Sequence, residues 1–465
     1  MRILLTIHQF LPHHASGTEI LTLHTAQELK RRGHQVEIFT GFPAKVPLTD
    51  DQRFDSYEHD GLTVHRFNHQ HMPMGEQTNI IEMEYRNELF GDYFAKFLER
   101  HPQDVVHVFH FARLSGLTVD ACVEAGIPTV FTPTDFWAVC PLIQLRLPDG
   151  SLCEGPTAFA ANCVRHVVEV SQPEELASRL RVLPTAAVAA GVVAIQNGLL
   201  PERWYSPLVR ALAGRPEFIR QRLNMVNRIL APTHLMESML ARNGVHRSRI
   251  AYVPYGVELA HIRRDTEKGR GERLRVGFIG TIVEHKGPAL LIEAVRSLPA
   301  DVPIALDIYG NTSEFPDFGA KLREIAGDDS RIAFKGTFPN DQIGNVFNTL
   351  DCLVVPSLWY ENTPLVIYSA MASGCPVVAT NLGGMSEAVT HNVNGLLFAK
   401  GDVRELAGHL KRLAEDRALV RSLSARTKIP KSIPQYADDL ERVYDEIRSR
   451  LALSAAAEAI GGIAV

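Results

Sequence analysis

Residues 351–389 constrain the fold of this chain more than any other stretch. They begin with a short apolar run, Asp351 to Pro356, which is typical of a buried parallel strand. A polar loop follows, and a helix is expected from Thr363-Pro364 to Gly374, because proline suits the first turn of a helix. Pro376 to Ala379 is then the next buried strand. Two apolar strands joined by a helix predict an α/β fold with a doubly wound parallel sheet.

The loop before this helix has the composition of a ligand site. It is expected to expose Trp359, Tyr360, Glu361 and Asn362. A helix N-terminus at the carboxyl edge of a parallel sheet binds anions, because free backbone N–H groups and the helix dipole point at the ligand. A carboxylate beside it grips hydroxyls better than phosphate. The combination indicates a ligand that carries both groups, such as a nucleotide sugar.

This stretch resembles the donor-binding signature of retaining glycosyltransferases of the GT-B fold, in particular family four. In that family a Glu, seven residues and a second Glu grip the donor sugar and the ribose. Here Glu361 occupies the first place, and Ser369 occupies the second. The resemblance implies donor contacts from both, and from the residues that join the loop to the helix, which are Asn362, Thr363, Pro364 and Leu365.

A second anchor is the loop from Gly280 to Gly287, GTIVEHKG, which follows a predicted strand. Glycine lets the backbone approach a phosphate, and Lys286 supplies the compensating charge. The loop resembles the family's Gly-x5-Lys-Gly pyrophosphate loop, although Thr281 stands where the family often has Arg. The alternative is an ordinary strand–turn–helix connection with a surface lysine.

Ends of other predicted strands supply further candidates. Tyr309, Gly310 and Phe338 follow strands of the C-terminal half, and ligands of such sheets sit outside the carboxyl strand ends. In the N-terminal half, Gly17 lies in Ser16-Gly17-Thr18-Glu19 and resembles the family's first Gly-rich loop. Ordinary turn geometry is the alternative for each of these positions.

Two polar side chains of the N-terminal half, Asp135 and His110, are candidates for contact with the substrates. Asp135 follows a predicted strand, is acidic and is expected to face the cleft, so it is a candidate catalytic residue together with Lys286 and Glu361. A turn aspartate is an equal alternative. The family often has His at the place of Thr134. His110 could meet an acceptor, and a structural histidine is its alternative.

The order of elements predicts two domains. Strand–helix alternation runs through the first half, is interrupted at about 138–215 by a Cys-containing loop and helices, and then resumes. We assign 1–215 to an acceptor-side domain and 216–430 to a nucleotide-sugar-binding domain, with the junction sequence near Val253–Gly256. Residues 431–465 form a helix packing back on the first domain, plus a tail. The resemblance implies GT-B, in which two Rossmann-like domains face each other across a cleft.

The Cys-containing loop suggests a metal site. Cys140, Cys153, Cys163 and His166 match the ligand types of a structural Cys3His zinc site, and the last two have knuckle-like spacing. The loop has little apolar content of its own, and such segments often need a bound metal ion or a disulfide to hold their structure. Buried free cysteines beside a surface histidine are the alternative.

Composition limits the partners and the compartment. The formal net charge of −5 over 465 residues argues against a nucleic-acid partner. The start reads as a first strand rather than a signal peptide. Six cysteines without such a signal favour the reducing cytoplasm. Val182 to Leu200 carries no charge and is expected to be a buried or surface helix, with a helix resting on the inner face of the membrane as the alternative.

The resemblance implies a retaining glycosyltransferase that moves a sugar from a nucleotide diphosphate sugar to a hydroxyl acceptor. The expected acceptor is a glycan or lipid-linked glycan of surface polysaccharide synthesis. No cofactor is expected for catalysis, and one structural zinc is expected in the loop. Two alternatives stay open: a nucleotide-sugar-binding protein with impaired catalysis, motivated by Thr134, Thr281 and Ser369, and a GT-B epimerase or phosphorylase.

Overall fold

The computed structural model describes residues 1–171, 174–362 and 364–461 of the chain. They form two compact units, each with its own sheet. The second unit is Gly256–Ile433, and the first consists of Met1–Tyr255 together with the chain from Pro434 onwards. The predicted α/β class with doubly wound parallel sheets is confirmed in both units.

The first unit is built on a largely parallel sheet. Its strands are β1 (Arg2–Ile7), β2 (Gln35–Pro43), β3 (Phe54–His59), β4 (Leu62–His69), β5 (Val105–Val108), β6 (Thr129–Phe131), β7 (Arg228–Ala231) and β8 (Ile250–Tyr252). They lie in the order β3-β4-β2-β1-β5-β6-β7-β8, with β3 antiparallel to β4 at the edge. The helices before the second unit are α1 (Gly17–Arg31), α2 (Ile80–Tyr85), α3 (Glu88–Arg100), α4 (Leu117–Glu124), α5 (Ala161–Ser171), α6 (Glu174–Arg181), α7 (Thr185–Gln196), α8 (Ser206–Met225) and α9 (His234–Arg242).

The second unit repeats the same plan with a parallel sheet. Its strands are β9 (Leu274–Ile279), β10 (Ile304–Tyr309), β11 (Ile332–Gly336), β12 (Cys352–Val355), β13 (Val377–Thr380) and β14 (Gly395–Phe398). They lie in the order β11-β10-β9-β12-β13-β14. Its helices are α10 (Pro288–Arg296), α11 (Pro316–Ala326), α12 (Ile343–Asn348), α13 (Leu365–Ala372), α14 (Gly383–Ala388), α15 (Val403–Glu415) and α16 (Arg417–Ala425). Apolar strands buried on both faces, such as β12, explain why the sequence pattern predicted this sheet.

The unit boundary lies in the junction sequence Val253–Gly256 and not at residue 216, where the second domain was assigned to begin. Residues 216–255, assigned by sequence to the second domain, belong to the first unit. Strand β7 pairs with β6 through Val130 and Phe131, and β8 pairs with β7. Backbone pairing with an existing sheet edge therefore decides the boundary, and the chain passes into the second unit at Tyr255–Gly256.

The last helix, α17 (Ile433–Gly461), lies against the first unit. Arg32, directly after α1, donates to Glu441, and the Tyr444 hydroxyl bonds to Nδ1 of His107 on β5 at 2.6 Å. His107 is fully buried, and burial lowers its pKa to about 3. It is therefore a neutral structural histidine that helps to hold α17.

The uncharged stretch Val182 to Leu200 contains α7. Val188 and Val192 of this helix are buried in an apolar cluster with α5 and α8. Within the described ranges, none of the helices combines the length and the apolar character that crossing a bilayer requires. The expected packed helix is thus present, while Val182 and Leu199 at its two ends are exposed.

Candidate functional site

The second unit places Lys286 and Glu361 at its topological switch point. Strands β9 and β12 are neighbours, and the chain winds away from them in opposite directions. Ligands of open α/β sheets bind in the crevice at the carboxyl ends of such a strand pair. Lys286 lies in the loop after β9, and Glu361 lies in the loop after β12.

The two side chains form an ion pair. Lys286 Nζ donates to Glu361 Oε1 at 2.7 Å. The same oxygen accepts from the Ser357 hydroxyl at 2.7 Å and from the Trp359 indole N–H at 2.8 Å. The Glu361 side chain is 8% exposed and that of Lys286 is 27% exposed. The carboxylate is therefore buried with its partners fixed, whereas the ammonium keeps a face toward solvent.

The electrostatics keep Glu361 ionised. Burial opposes its charge, but the Lys286 ammonium and the hydrogen bonds from Ser357 and Trp359 outweigh that effect and hold the pKa of Glu361 below its usual range. A carboxylate held in this way is an acceptor for hydroxyl groups, and the partly exposed Lys286 ammonium is a donor for phosphate oxygens.

Two glycines allow the loops to meet. Gly287 has φ +73°, and a Cβ there would lie 2.0 Å from the Pro356 carbonyl oxygen. A Cβ on Gly384, at the start of α14, would lie 1.6 Å from the Asn362 carbonyl oxygen. No other residue fits either position, so these glycines bring the loops after β9, β12 and β13 into contact.

The other predicted donor contacts of this unit lie along the same sheet edge. Tyr309 ends β10, and its ring meets that of Phe338 edge-on at 5.5 Å. The Gly280 amide donates to the Tyr309 carbonyl, and a Cβ on Gly310 would collide with the Gly280 carbonyl. Thr281, next to Gly280, is exposed.

Part of the expected loop geometry is wrong. Glu361 and Asn362 were expected to be exposed, but both are buried, because the loop folds back under α14 and the Gly384 amide bonds to the Glu361 carbonyl at 2.9 Å. The helix begins at Leu365, with Pro364 as its N-cap. Thr363 lies outside the described residues.

Ser369 lies one turn into α13. It is 5% exposed, and its hydroxyl donates to the Leu365 carbonyl at 3.2 Å. The side chain is therefore occupied by its own helix, which leaves a ribose contact from it as a prediction.

The first unit has its own switch point, between β1 and β5. The loops after these strands carry His8 and His110, whose ring centroids are 4.1 Å apart. His110 Nε2 lies 2.7 Å from Asp135 Oδ2, and His8 Nε2 lies 3.8 Å from Glu19 Oε1. Gly17 is the exposed first residue of α1, two positions before Glu19. Two carboxylates and two imidazoles thus converge at this edge.

The hydrogen bonds define proton positions here. The Ala112 amide donates to Nδ1 of His110, so the neutral ring carries its proton on Nε2 and donates it to Asp135. The other Asp135 oxygen accepts from the Trp137 amide at 2.8 Å, which is the turn role that the sequence left open. Burial, followed by the charges of His110 and Arg113, holds the pKa of His8 well below its usual range, and burial raises the pKa of Glu19.

The predicted zinc ligands line one small cavity of about 10 Å³ in the first unit, around Cys140, Cys153, Cys163 and His166. The Gly155 amide donates to the Cys153 sulfur at 3.4 Å. Their ligand atoms are not drawn together to metal-binding distances. Among the described residues, only Glu37, His65 and His101 offer three ligand atoms that all lie within 4.8 Å of one another.

Sequence reasoning missed several members of these sites. Ser357 and Trp359 were seen only as loop residues, although both hold the Glu361 carboxylate. His8 was not identified, and Glu19 was named only as a member of the Gly17 loop. A signal for His8 was available, since it directly follows the first strand at a switch point.

Comparison with known proteins gives the family. The profile described as "Glycosyl transferases group 1" matches residues 262–429, and that described as "Glycosyl transferase 4-like domain" matches residues 16–256. The chain belongs to the group 1, family 4-like glycosyl transferases. The two profiles correspond to the two units, so this glycosyl transferase has both parts that the resemblance implied.

Relatives of this glycosyl transferase are distant. A D-inositol 3-phosphate glycosyltransferase of Corynebacterium urealyticum is 30% identical over 188 residues, 37% of this chain and 44% of that protein. A 2-deoxystreptamine glucosyltransferase of Streptomyces kanamyceticus is 36% identical over 146 residues, 31% and 37% of the two chains. The amylovoran biosynthesis glycosyltransferase AmsK of Erwinia amylovora is 29% identical over 243 residues, 50% and 58%. The chain spans about half the length of the curated relatives it matches.

Solved structures share the fold. Sucrose-phosphate synthase of Thermosynechococcus elongatus superposes with a TM-score of 0.65 at 17% identity, covering 97% of this chain and 99% of that one. Anabaena Alr3699/HepE in complex with UDP-glucose gives a TM-score of 0.58 at 16% identity, covering 98% and 100%. The fold of this glycosyl transferase is GT-B.

Proposed function

We propose that this chain transfers a sugar from a nucleotide diphosphate sugar to a hydroxyl acceptor, with retention at the anomeric carbon. The observation that carries the proposal is the Lys286–Glu361 pair, at 2.7 Å, at the switch point of the second sheet. Its two partners match the two halves of such a donor, a diphosphate and a polyhydroxyl ring. Glycosyltransferase names among the relatives, and UDP-glucose in the complex of the Anabaena neighbour, support the same donor class.

Donor binding would exchange partners within the pair. The diphosphate takes the Lys286 ammonium, and the sugar hydroxyls donate to Glu361, which keeps the hydrogen bonds from Ser357 and Trp359. The amide of Leu365 at the start of α13 adds a donor to the phosphate. In the free protein the pair holds both side chains in position, so little ordering is required when the donor binds.

The chemical step follows from this placement. The bond between C1 of the sugar and the diphosphate oxygen breaks, and the acceptor oxygen bonds to C1 on the same face. The acceptor proton passes to the departing phosphate oxygen. Lys286 and the Leu365 amide stabilise the negative charge that develops on the leaving diphosphate, which lowers the barrier because this charge is greatest after bond cleavage.

We place acceptor binding in the first unit. His8, Glu19, His110 and Asp135 converge at its switch point and offer acceptor and donor atoms to hydroxyl groups. Asp135 is more exposed than Glu19, so it is the carboxylate that meets the acceptor first. A glycan or lipid-linked glycan of surface polysaccharide synthesis fits this set of polar groups.

The location we propose is the cytoplasm, at the inner face of the membrane when the acceptor is lipid-linked. The six free cysteines agree with a reducing compartment. The exposed apolar residues beside α7, which include Val182, Leu199 and Trp204, offer a surface for a peripheral contact.

A donor panel tests the proposal. Thermal shifts with UDP-, GDP-, ADP- and TDP-sugars identify the donor, since ligand at about 100 times its Kd adds about 2.7 kcal/mol to stability. We expect Glu361→Gln to weaken binding of the sugar-bearing donor more than binding of the bare nucleotide diphosphate. An equal loss of affinity for both ligands would show that Glu361 does not contact the sugar.

Product analysis separates the alternatives. A transferase forms a new glycoside only when an acceptor is present, and NMR of the product reports whether the anomeric configuration is retained. A binding protein with impaired catalysis gives the thermal shift without turnover. An epimerase releases sugar and nucleotide without an acceptor, and a phosphorylase depends on phosphate.

A further inference from the structure

A cluster of metal-ligating side chains lies at the opposite edge of the first sheet from the proposed acceptor site. Glu37 is the third residue of β2, His65 is in the middle of β4, and His101 follows the end of α3. The chain enters β5 just after His101, so the cluster marks the amino edge of the sheet. One ligand atom from each residue lies within 4.8 Å of the other two.

The spacing suits a single ion. Nε2 of His65 and Oε1 of Glu37 are 3.9 Å apart. This distance is too long for a hydrogen bond. Two metal–ligand bonds of about 2.0–2.2 Å span about 3.4 Å at the tetrahedral angle, so a side-chain shift of about half an ångström lets one ion bind both atoms.

His65 presents a buried nitrogen that faces Glu37 without a hydrogen bond of normal length. Its side chain is 12% exposed, and Nε2 is buried without a hydrogen bond. Its other nitrogen, Nδ1, is bonded to the Ser56 hydroxyl at 2.9 Å. Leaving a buried imidazole nitrogen unpaired costs free energy, and a metal ion at Nε2 removes that cost.

The neighbours hold all three side chains in place. Gln103 donates to the second carboxylate oxygen of Glu37 at 3.0 Å. The His101 ring stacks on Phe97 with centroids 4.4 Å apart, and the same Phe97 meets His65 edge-on at 4.7 Å. Metal ligands are commonly oriented by such outer hydrogen bonds, which fix the ring and the carboxylate before the ion arrives.

We propose that Glu37, His65 and His101 bind one Zn²⁺ ion. Two imidazoles and a carboxylate are the ligand set that this borderline ion accepts, with water completing four-fold coordination. The ion joins β2, β4 and the end of α3, and its role is to tie the helix to the sheet edge. It takes no part in transfer, because it lies at the amino edge, away from the strand ends that carry His8 and His110.

The test uses the full chain with Cys153→Ser, so that the cysteine loop does not compete. Isothermal titration with ZnCl₂ should give one ion per chain. Glu37→Gln and His65→Asn should each weaken binding at least tenfold. Glu37→Gln keeps the shape of the side chain. His65→Asn keeps a nitrogen at the position of Nδ1, so the hydrogen bond to Ser56 is retained. His59→Asn, another strand histidine of the same sheet, should bind like the parent. Unchanged affinity in both cluster variants, or no zinc uptake by the parent, would overturn the proposal.

Cobalt(II) gives a second readout that does not depend on the Cys153→Ser substitution. In the chain with all six cysteines intact, cobalt bound at this cluster shows the spectrum of nitrogen and oxygen ligands. With Glu37→Gln that spectrum should be lost, while donor binding stays at the parent level and shows that the chain is folded. A cobalt spectrum of nitrogen and oxygen ligands that survives Glu37→Gln would place that metal elsewhere and reject the cluster, whereas a thiolate spectrum that survives belongs to the cysteine loop.

Discussion

Glu361 is a buried carboxylate whose ionised state depends on Lys286, a residue 75 positions earlier in the chain. Breaking such a pair from one side leaves a buried charge without a partner. The pair therefore matters for stability as well as for the proposed donor binding, although both residues lie on loops.

We predict that Lys286→Ala lowers the free energy of unfolding at pH 7 by about 3 kcal/mol, the low end for a broken buried pair, because Lys286 is partly exposed. The depressed pKa of Glu361 contributes stability above its unfolded value, about 4.3, and this contribution is lost as the pH falls through the folded value. In the variant the unpaired carboxylate is relieved by protonation, so the two stability curves should converge on acidification. Urea unfolding between pH 3 and pH 7 measures this.

The matched control is Lys335→Ala. Lys335 is half-exposed and lies 3.4 Å from Asp307, so its loss should cost less than about 1 kcal/mol at any pH. If Lys286→Ala behaves like this control at pH 7, the buried pair is not a stabilising feature.

A second prediction concerns Ser369, which stands where the family has its second Glu. We expect Ser369→Glu to tighten ribose binding or to change the donor preference, because a carboxylate accepts from both ribose hydroxyls and reaches farther than serine. Ser369→Ala should leave the donor panel as it is, since the hydroxyl bonds only to the Leu365 carbonyl. An unchanged panel and unchanged affinity in Ser369→Glu would show that this position does not meet the ribose.

At the scale of elements, the segment from Cys140 to His166 joins an irregular stretch that carries Cys140 and Cys153 to the start of α5, which carries Cys163 and His166, around one small cavity. Three sulfurs and an imidazole line it, and the Cys153 sulfur already accepts a backbone hydrogen bond. Ligand atoms at separated positions require side-chain rotation before an ion can bind all four.

We predict that this rotation occurs and that the loop holds one structural zinc. Elemental analysis of protein purified without chelator should find a zinc that Cys153→Ser loses and that Cys122→Ser, a buried cysteine of α4, retains. Cobalt substitution should add the strong absorption of thiolate ligands, which separates this ion from one at Glu37. A protein without zinc in this loop, stable to chelators, would reject it.

At the scale of the whole molecule, the chain passes between its units twice. Within the second unit, the segment that enters it and the segment that leaves it are joined by backbone hydrogen bonds. The Val257 amide donates to the Lys431 carbonyl at 2.9 Å, and the Ile433 amide donates to the Val257 carbonyl at 3.2 Å. The second unit has its own apolar core, formed by residues between Leu274 and Leu423. It therefore has the features of an independent folding unit.

We predict that residues 256–433 fold alone and bind a nucleoside diphosphate. The fragment should unfold cooperatively on heating, and calorimetric titration with UDP, GDP, ADP and TDP should find the nucleotide preferred by the full chain. The same fragment with Lys286→Ala should fold but lose affinity at least tenfold. A fragment without a cooperative transition would show that its stability depends on the first unit.

The sequence by itself determined the class of fold and the two anchors of the candidate donor site. Apolar strands alternate with helices along the chain, and this local pattern predicted the strands β1, β9, β10 and β12. Lys286 and Glu361 were predicted because a Gly-rich strand–helix turn with a lysine suits a phosphate, and because the two loops resemble the family's pyrophosphate loop and donor-binding signature.

Only the tertiary structure decided which residues meet. The burial of Glu361 and Asn362 depends on Gly384, and the assignment of 216–255 depends on the pairing of β7 with β6. These are contacts between distant parts of the chain, whose partners no local pattern specifies. His8 and His110 are drawn together by the pairing of β1 with β5, and Glu37, His65 and His101 by the pairing of β2 with β4 and the position of the end of α3. A sheet places residues side by side according to its topology, whereas the sequence records only their separation along the chain.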